Sequence, residues 1–219
     1  FTITADNLAE HREHLTPGQE AMFEAYPDYR MNVYPTRRSA ALPERVYEAM
    51  RENARHAHLA GDLDGLRDAA MSSPFPIPQS GAEVIWNHKA RWRTAGYTQF
   101  ESMAVVTGSG AYRLVRRDTQ YKVPYMSRGS GPGNLAHRNL LRYQMRIVAP
   151  AEMAGRLLLM HEPIDPGTGS RRRLWVYVPG QRRVRAVAEN EFDKPTPGVD
   201  GLRTMDQIDM FNGSLARYD

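Results

Sequence analysis

The chain has 219 residues, of which 41% are hydrophobic, so it is long enough to bury a sizeable core as one large domain or two small ones. Its 29 basic and 25 acidic residues give a net charge of +4, and a balance this close to even is not the electrostatic footprint of a nucleic-acid-binding protein. Cysteine is absent, which excludes disulfide bonds, thiolate metal sites and a cysteine nucleophile.

Helices and irregular connections are expected over residues 1–95. The pattern Thr-Pro-Gly-Gln beginning at Thr16 is a capping box with proline at the first helical position, which predicts a short helix. Hydrophobic residues recur at helical spacing over residues 43–60, so a second helix is expected there. Another capping box, beginning at Ser80, predicts a third helix over residues 81–93.

The hydrophobic period changes from helical to alternating near residue 96. The expected strands are residues 100–106, 112–118, 140–148 and 156–161, followed by the two arms of a hairpin between residues 171 and 187. The connections are short enough for hairpins, which favours antiparallel pairing. We therefore predict an α+β fold in one domain over residues 1–219. Its sheet part is expected at residues 96–219, with the third helix packed on the apolar face of the sheet.

One face of the predicted sheet is expected to be apolar. Hydrophobic residues alternate with polar ones along the third strand and the hairpin, as in an antiparallel sheet with one buried face. The residues expected on this face are Leu141, Tyr143, Met145, Ile147, Leu174, Val176, Val178 and Val184. Each would contribute roughly 1.5 to 3 kcal/mol if fully buried, so a packed core explains them, and a surface that binds a hydrophobic ligand is the alternative.

The hairpin is expected to turn at Pro179–Gln181, because proline and glycine favour turn dihedral angles. A loop of this odd length pairs Val176 with Val184 and keeps the apolar residues on one face. The opposite, basic face is then expected to carry Arg173, Arg183 and Arg185, with Trp175 beside Arg185 and Tyr177 beside Arg183 as cation–π pairs. A solvated surface explains such a face, and docking to acidic headgroups or to a partner is the alternative.

No pattern in the sequence is typical of an active site. Residues 129–133 are rich in glycine but lack the lysine and hydroxyl residue of a phosphate-binding loop, so we expect a turn there. The histidine pairs at residues 11 and 14 and at residues 56 and 58 have no accompanying carboxylate motif, so solvated helix faces are expected. No serine lies in a nucleophile elbow. We predict a protein that is not an enzyme and that binds no cofactor, metal ion or nucleic acid.

Four segments are long enough to resemble a specific family. They are residues 34–40, 74–88, 175–185 and 195–214. Together they resemble a bacterial family of unknown function that is described as outer-membrane lipoprotein-sorting-like and is grouped with the periplasmic lipoprotein carriers LolA and LolB. That family has no agreed catalytic residues, so the resemblance implies a fold and a class of function but no active site.

The resemblance implies a curled antiparallel sheet, open as a half-barrel, with helices on its concave apolar face. It also implies export to the periplasm with removal of a signal peptide, and further sheet after residue 219. The expected function is to bind or carry a lipid, a lipoprotein acyl chain or another hydrophobic ligand toward the outer membrane. The expected partner is an inner-membrane transporter or the outer-membrane surface. The alternative is an interaction module that docks to a membrane transporter complex through the basic sheet face.

Overall fold

The structure is a computed structural model that describes residues 1–37, 39–129, 139–168, 171–187 and 192–218. Its contacts divide the chain into two compact units, Phe1–Leu42 and Pro43–Asp219, where the sequence predicts one domain. The predicted change from helices to long strands falls at Gly96 and lies inside the second unit. Residues 130–133 of the predicted glycine-rich turn lie outside the described residues.

The first unit combines two very short strands with short helices. Its elements are β1 (Thr2–Ile3), α1 (Leu8–His11), α2 (Pro17–Ala25) and β2 (Met31–Asn32), with 3-10 turns at Ala5–Asn7 and Arg12–His14. The Thr16 hydroxyl accepts from the Gln19 N–H, and the Gln19 side chain accepts from the Thr16 N–H at 2.8 Å. The predicted capping box is therefore confirmed. Ile3, Leu8 and Phe23 form a small buried core in this unit.

The second unit begins with two helices and a short strand pair. These elements are α3 (Glu44–His56), β3 (His58–Leu59), β4 (Leu66–Arg67) and α4 (Gly81–Lys89). The Ser80 hydroxyl caps α4 by accepting from the Glu83 N–H, as predicted. The Glu83 carboxylate, however, accepts from the N–H of Gln79 instead of Ser80. Helix α4 ends at Lys89, before the predicted end near residue 93.

Among the residues that the structure describes, six strands form one antiparallel sheet in chain order. They are β5 (Gly96–Val106), β6 (Tyr112–Lys122), β7 (Asn139–Ala149), β8 (Leu157–Pro163), β9 (Arg173–Val178) and β10 (Arg183–Val187). Each pairs with its neighbour in sequence, which confirms the predicted antiparallel sheet and, with the helices, the α+β fold. Further 3-10 turns lie at Pro124–Met126, Pro166–Thr168, Pro179–Gln181 and Leu215–Arg217.

The β9–β10 hairpin pairs one residue away from the predicted register. Val178 lies opposite Arg183, and Val176 lies opposite Arg185. The connection is one residue longer than predicted, because Arg182 adopts a left-handed φ of 49° and closes the turn through its N–H to the Pro179 carbonyl. A slip of one residue moves every side chain of a strand to the other face.

The predicted basic face is therefore wrong. Directly opposed residues in a sheet share a face, so Arg183 and Arg185 lie on the face of Val176, whereas Arg173 lies on the opposite face. The predicted cation–π pairs are not formed, and the Trp175 ring instead meets the edge of His161 at a centroid distance of 5.2 Å. The same slip places Val184 on the face opposite Val176, with 67% of its surface exposed.

The two faces of the sheet differ in chemistry. We call the face that carries Met145, Leu158 and Val176 the pocket face, and the opposite one the outer face. On the pocket face, buried residues form a hydrophobic cluster that consists of Val105, Val115, Met145, Ile147, Met153, Leu158 and Met160. Helix α4 packs at the end of the sheet, where its buried Trp86 shares a second cluster with Leu140.

Residues 192–218, which we call the C-terminal cover, lie over the pocket face. Gly198 in the cover has a φ of 85°, and a Cβ at this position would lie 3.4 Å from side-chain atoms of both Val115 and Met153. The backbone of the cover therefore passes directly over the sheet. Val199 and Met205, which also belong to the cover, are buried.

Replacing Gly198 with alanine should lower the free energy of unfolding by about 1 to 3 kcal/mol, because a side chain disfavours this positive φ. Denaturant unfolding followed by fluorescence measures the loss. Gly18→Ala is the control, since Gly18 lies in α2 with nothing within 4 Å of an added Cβ. Its stability should stay equal or rise by up to about 1 kcal/mol. Equal losses in the two variants would contradict the close approach at Gly198.

Candidate functional site

A cavity lies between the pocket face and the C-terminal cover. Its volume is about 320 Å³, at the lower end of the range for ligand pockets in proteins. Its walls come from the chain at the end of α4 and from the cover, whereas its floor comes from the sheet. The apolar and aromatic residues of the floor are Tyr97, Tyr121, Leu141, Tyr143, Met145, Leu158 and Met160, and the sheet also contributes Gln99, Arg117 and Glu162 to the lining.

Only part of the predicted apolar face reaches this cavity. The predicted residues that line it are Leu141, Tyr143 and Met145. Ile147, Leu174 and Val176 lie on the same face but in the neighbouring packed cluster. Val178 is half-buried at the end of β9, and Val184 is exposed on the outer face. The pocket face is therefore packed core at one place and cavity floor at another.

Three tyrosines form a row across neighbouring strands of the floor. The rings of Tyr97 and Tyr121 stack with their centroids 4.4 Å apart, and Tyr143 meets Tyr121 edge-on at 5.1 Å. Burial raises the pKa of Tyr121 and of Tyr143, so both are neutral phenols near neutral pH. The row provides an apolar aromatic surface together with hydroxyl groups that donate hydrogen bonds.

The sequence prediction misses Tyr97 and Tyr121, because it begins the first strand at residue 100 and ends the second at residue 118. The register of the hairpin between these two strands would have indicated that the tyrosines are neighbours. Counting back from the tip, where Val106 lies opposite Tyr112, places the two tyrosines opposite each other.

The cavity lining as a whole carries more positive than negative charge. Its basic residues are Lys89, Arg91, Arg93, Arg117 and Arg203, and its acidic residues are Glu162 and Asp209. Arg117 forms an ion pair with Glu101, and Glu162 forms one with Arg172. The four side chains of these pairs are only 11 to 15% exposed, so each charge is buried together with its partner.

Asp209 anchors the C-terminal cover to the chain that follows α4. Its carboxylate accepts hydrogen bonds from Arg91, at 2.6 Å, and from Arg93, and its backbone carbonyl lies 2.6 Å from His88 Nε2. Burial alone would raise the pKa of Asp209, but the hydrogen bonds from the two arginines lower it below its ordinary value. Asp209 and Met210 have φ values of 55° and 69°, so the anchor also holds a strained turn.

The described residues show neither a metal-binding cluster nor a membrane-spanning helix. In those ranges, no group of three or more histidine or acidic side chains is placed to hold a metal ion. The same part of the chain contains no helix with both the length and the apolar character needed to cross a membrane.

The sequence profile of the family "Protein of unknown function (DUF1329)" matches residues 2–219. The chain belongs to this family. The predicted resemblance to a family of unknown function is thereby confirmed. Uncharacterized protein PA3922 of Pseudomonas aeruginosa is 40% identical over 220 residues, which cover 100% of this chain and 48% of that protein. The chain thus spans about half the length of the curated relative that it matches.

Solved structures with some similarity to this DUF1329 protein come from two other bacteria. One is a Vibrio parahaemolyticus domain provisionally described as an outer membrane lipoprotein-sorting protein domain, with a TM-score of 0.43 and 14% identity over 62% of this chain and 49% of that one. Another is a DUF1329 family protein from Desulfovibrio piger, with a TM-score of 0.36 and 16% identity over 52% of this chain and 44% of that one. Similarities this distant say nothing about a ligand.

Asp209→Asn should loosen the part of the C-terminal cover that borders the cavity. Asparagine keeps the size of aspartate and tolerates a positive φ, but it lacks the charge. We expect a loss of at most about 1 kcal/mol in global stability, together with faster amide hydrogen exchange in residues 203–212. Asp200→Asn is the matched control, since Asp200 also has a positive φ and pairs with Arg113 without lining the cavity. Faster exchange near residue 209 in both variants, or in neither, would contradict the anchor.

Acidification should release the same anchor. Because the pKa of Asp209 is lowered in the folded protein, its contribution to stability is complete above the ordinary value of 3.8 and is lost as the pH falls through the lower, folded value. Hydrogen exchange in residues 203–212, corrected for the intrinsic pH effect, should therefore approach that of Asp209→Asn as the pH falls below 3.8. If exchange in the wild-type protein stayed slower than in Asp209→Asn at every pH at which the sheet is folded, the lowered pKa of Asp209 would be contradicted.

Proposed function

We propose that this DUF1329 protein binds a hydrophobic ligand in the cavity between the pocket face and the C-terminal cover. The observation that carries this proposal is the space of about 320 Å³ left over an apolar and aromatic floor. Packed protein cores interdigitate their side chains and leave few voids larger than a water molecule. An open space of this size on such a floor therefore favours a ligand site over ordinary core.

Burial of an acyl chain supplies enough free energy for reversible binding. Each methylene group that moves from water into an apolar site contributes about 0.8 kcal/mol. Met145 and Met160 on the floor have flexible thioether side chains that adapt to an irregular ligand surface. The volume lies at the low end for ligand pockets, which suits a single chain better than a lipid with two.

The proposed function includes no covalent step. The carboxylates that line the cavity are both engaged by arginine, Glu162 by Arg172 and Asp209 by Arg91 and Arg93. Both carboxylates therefore act as partners of arginine in this arrangement. This arrangement supports binding rather than catalysis.

We propose further that the protein acts in the periplasm and carries its ligand toward the outer membrane. The segments that resemble the LolA and LolB group support this location. One of them, residues 195–214, forms most of the C-terminal cover. A carrier must take up and release its cargo, and a cover attached through partly exposed ion pairs suits that requirement. A membrane transporter or the outer-membrane surface stays a predicted partner.

Docking through a basic sheet face, the alternative expected from the sequence, has less support. Arg173 lies on the outer face, whereas Arg183 and Arg185 lie on the pocket face. The three arginines therefore do not form one patch that a single acidic surface would contact.

A tryptophan at position 141 tests the cavity as the binding site. Leu141→Trp should occupy the space that the ligand needs and weaken binding of dodecanol by about tenfold or more, the equivalent of roughly two buried methylene groups. Displacement of Nile red from delipidated protein measures this affinity. Leu159→Trp is the matched control, because Leu159 is half-buried on β8 but lies on the outer face.

Unfolding curves for both variants establish that they are folded before their affinities are compared. A delipidated wild-type protein that takes up neither Nile red nor dodecanol would overturn the proposed function. Equal loss of binding in the two tryptophan variants would show that the ligand binds elsewhere.

A further inference from the structure

Arg203 lines the cavity without an anionic partner. Within the ranges that the structure describes, its side chain makes no ion pair and no hydrogen bond, and its Nε atom is buried. Arg203 is close enough to the tyrosine row for its charge to act on Tyr143, where burial raises the pKa of the phenol and the charge of Arg203 opposes that rise. A cation that is partly buried without a partner is unfavourable. A bound anion would pair with the guanidinium group of Arg203.

Lys89 is a second basic residue at the cavity, and it contacts an aromatic ring. Its Nζ atom lies 4.5 Å from the ring centroid of Trp86, at the distance of a cation–π contact. Burial lowers the pKa of Lys89, and the nearby charge of Glu162 opposes that shift. Glu162 is already paired with Arg172, so over the described part of the chain the ammonium group has no carboxylate of its own.

Each of the remaining basic groups at the cavity pairs with a carboxylate of the protein. Arg91 and Arg93 share the carboxylate of Asp209, and Arg117 is paired with Glu101. Among the described residues, Arg203 and Lys89 are therefore the cavity cations without a carboxylate partner, and the sharing of Asp209 by two arginines leaves one further positive charge at the cavity. An anion attracted by this positive potential would bind at the wall of the cavity, next to the apolar floor.

We infer that the ligand is a single-chain amphiphile with an anionic head, a carboxylate or a phosphate, whose head binds Arg203 with support from Lys89. This inference rests on the proposed function. A guanidinium group binds either anion through paired, charge-assisted hydrogen bonds. The chain of the amphiphile would lie on the floor, over Leu141 and Met160.

Ligands that share one chain and differ in the head group provide the test. Laurate, dodecyl phosphate, dodecanol and dodecyltrimethylammonium are titrated into delipidated protein below their critical micelle concentrations, with Nile red displacement and calorimetry as readouts. At least one anion should bind about tenfold more tightly than dodecanol, as expected for a hydrogen bond between charged groups. The cationic amphiphile should bind most weakly. The tighter of the two anions identifies the head group.

Arg203→Met removes the charge and keeps an apolar side chain of similar reach. It should weaken binding of the preferred anion by about tenfold and leave dodecanol binding unchanged. The thermal midpoint of the ligand-free variant should stay equal or rise, because an uncompensated charge has been removed. Arg203→Lys should restore part of the affinity. Arg116→Met, which removes an exposed arginine from the outer face, should change none of these values.

Other outcomes separate this inference from the proposed function. If dodecanol binds as tightly as both anions, or Arg203→Met leaves anion binding unchanged, the inference is wrong and the hydrophobic site stands. If none of the four amphiphiles binds, both are overturned. A ligand-free Arg203→Met protein that is destabilised and also loses dodecanol binding would make Arg203 a structural residue and would equally overturn the inference.

Discussion

The pocket face of the sheet has to be shielded from water, and the segment that shields much of it is irregular. Strand alternation puts Met145, Leu158 and Val176 on one side, where they need a cover. Where Gly198 lacks a side chain, the backbone of the cover approaches the sheet closely and the face becomes packed core. Near Asp209 the cover turns through left-handed residues, and a cavity separates it from the floor. One constraint thus accounts for a packed region and an open region on the same face.

Ion pairs of Asp200 and Asp209 attach the cover to the rest of the second unit. Asp200 pairs with Arg113 on the sheet, and Asp209 pairs with Arg91 and Arg93 after α4. Partly exposed pairs of this kind contribute little stability each, whereas the ladders of the long strands are cooperative and buried. These pairs therefore hold the cover less firmly than strand pairing holds the sheet. That property suits a site that must admit and release a ligand.

The cavity combines two chemistries that a packed core would keep apart. Its floor is apolar and aromatic, and its wall holds cations that the protein itself leaves uncompensated. The ion pairs of Arg117 and Glu162 show that the fold neutralises other buried charges at the same cavity. Arg203 and Lys89 depart from that pattern, and the cavity that they line has room for a ligand that supplies the missing charge. Apolar burial and charge pairing would then act on the two ends of the same molecule.

Local patterns were sufficient for the capping box at Thr16, the change of period near residue 96 and the antiparallel sheet, because these depend on dihedral preferences and periodicities over a few residues. They also placed Leu141 among the residues of one apolar face. Only the structure decided the register of the last hairpin, since the left-handed φ of Arg182, which no local pattern predicts, reverses which face each β10 side chain occupies. The cavity is likewise a tertiary property. Its floor, its anchor at Asp209 and its unpaired cations come from segments far apart in sequence, and no short-range periodicity encodes the distance between them.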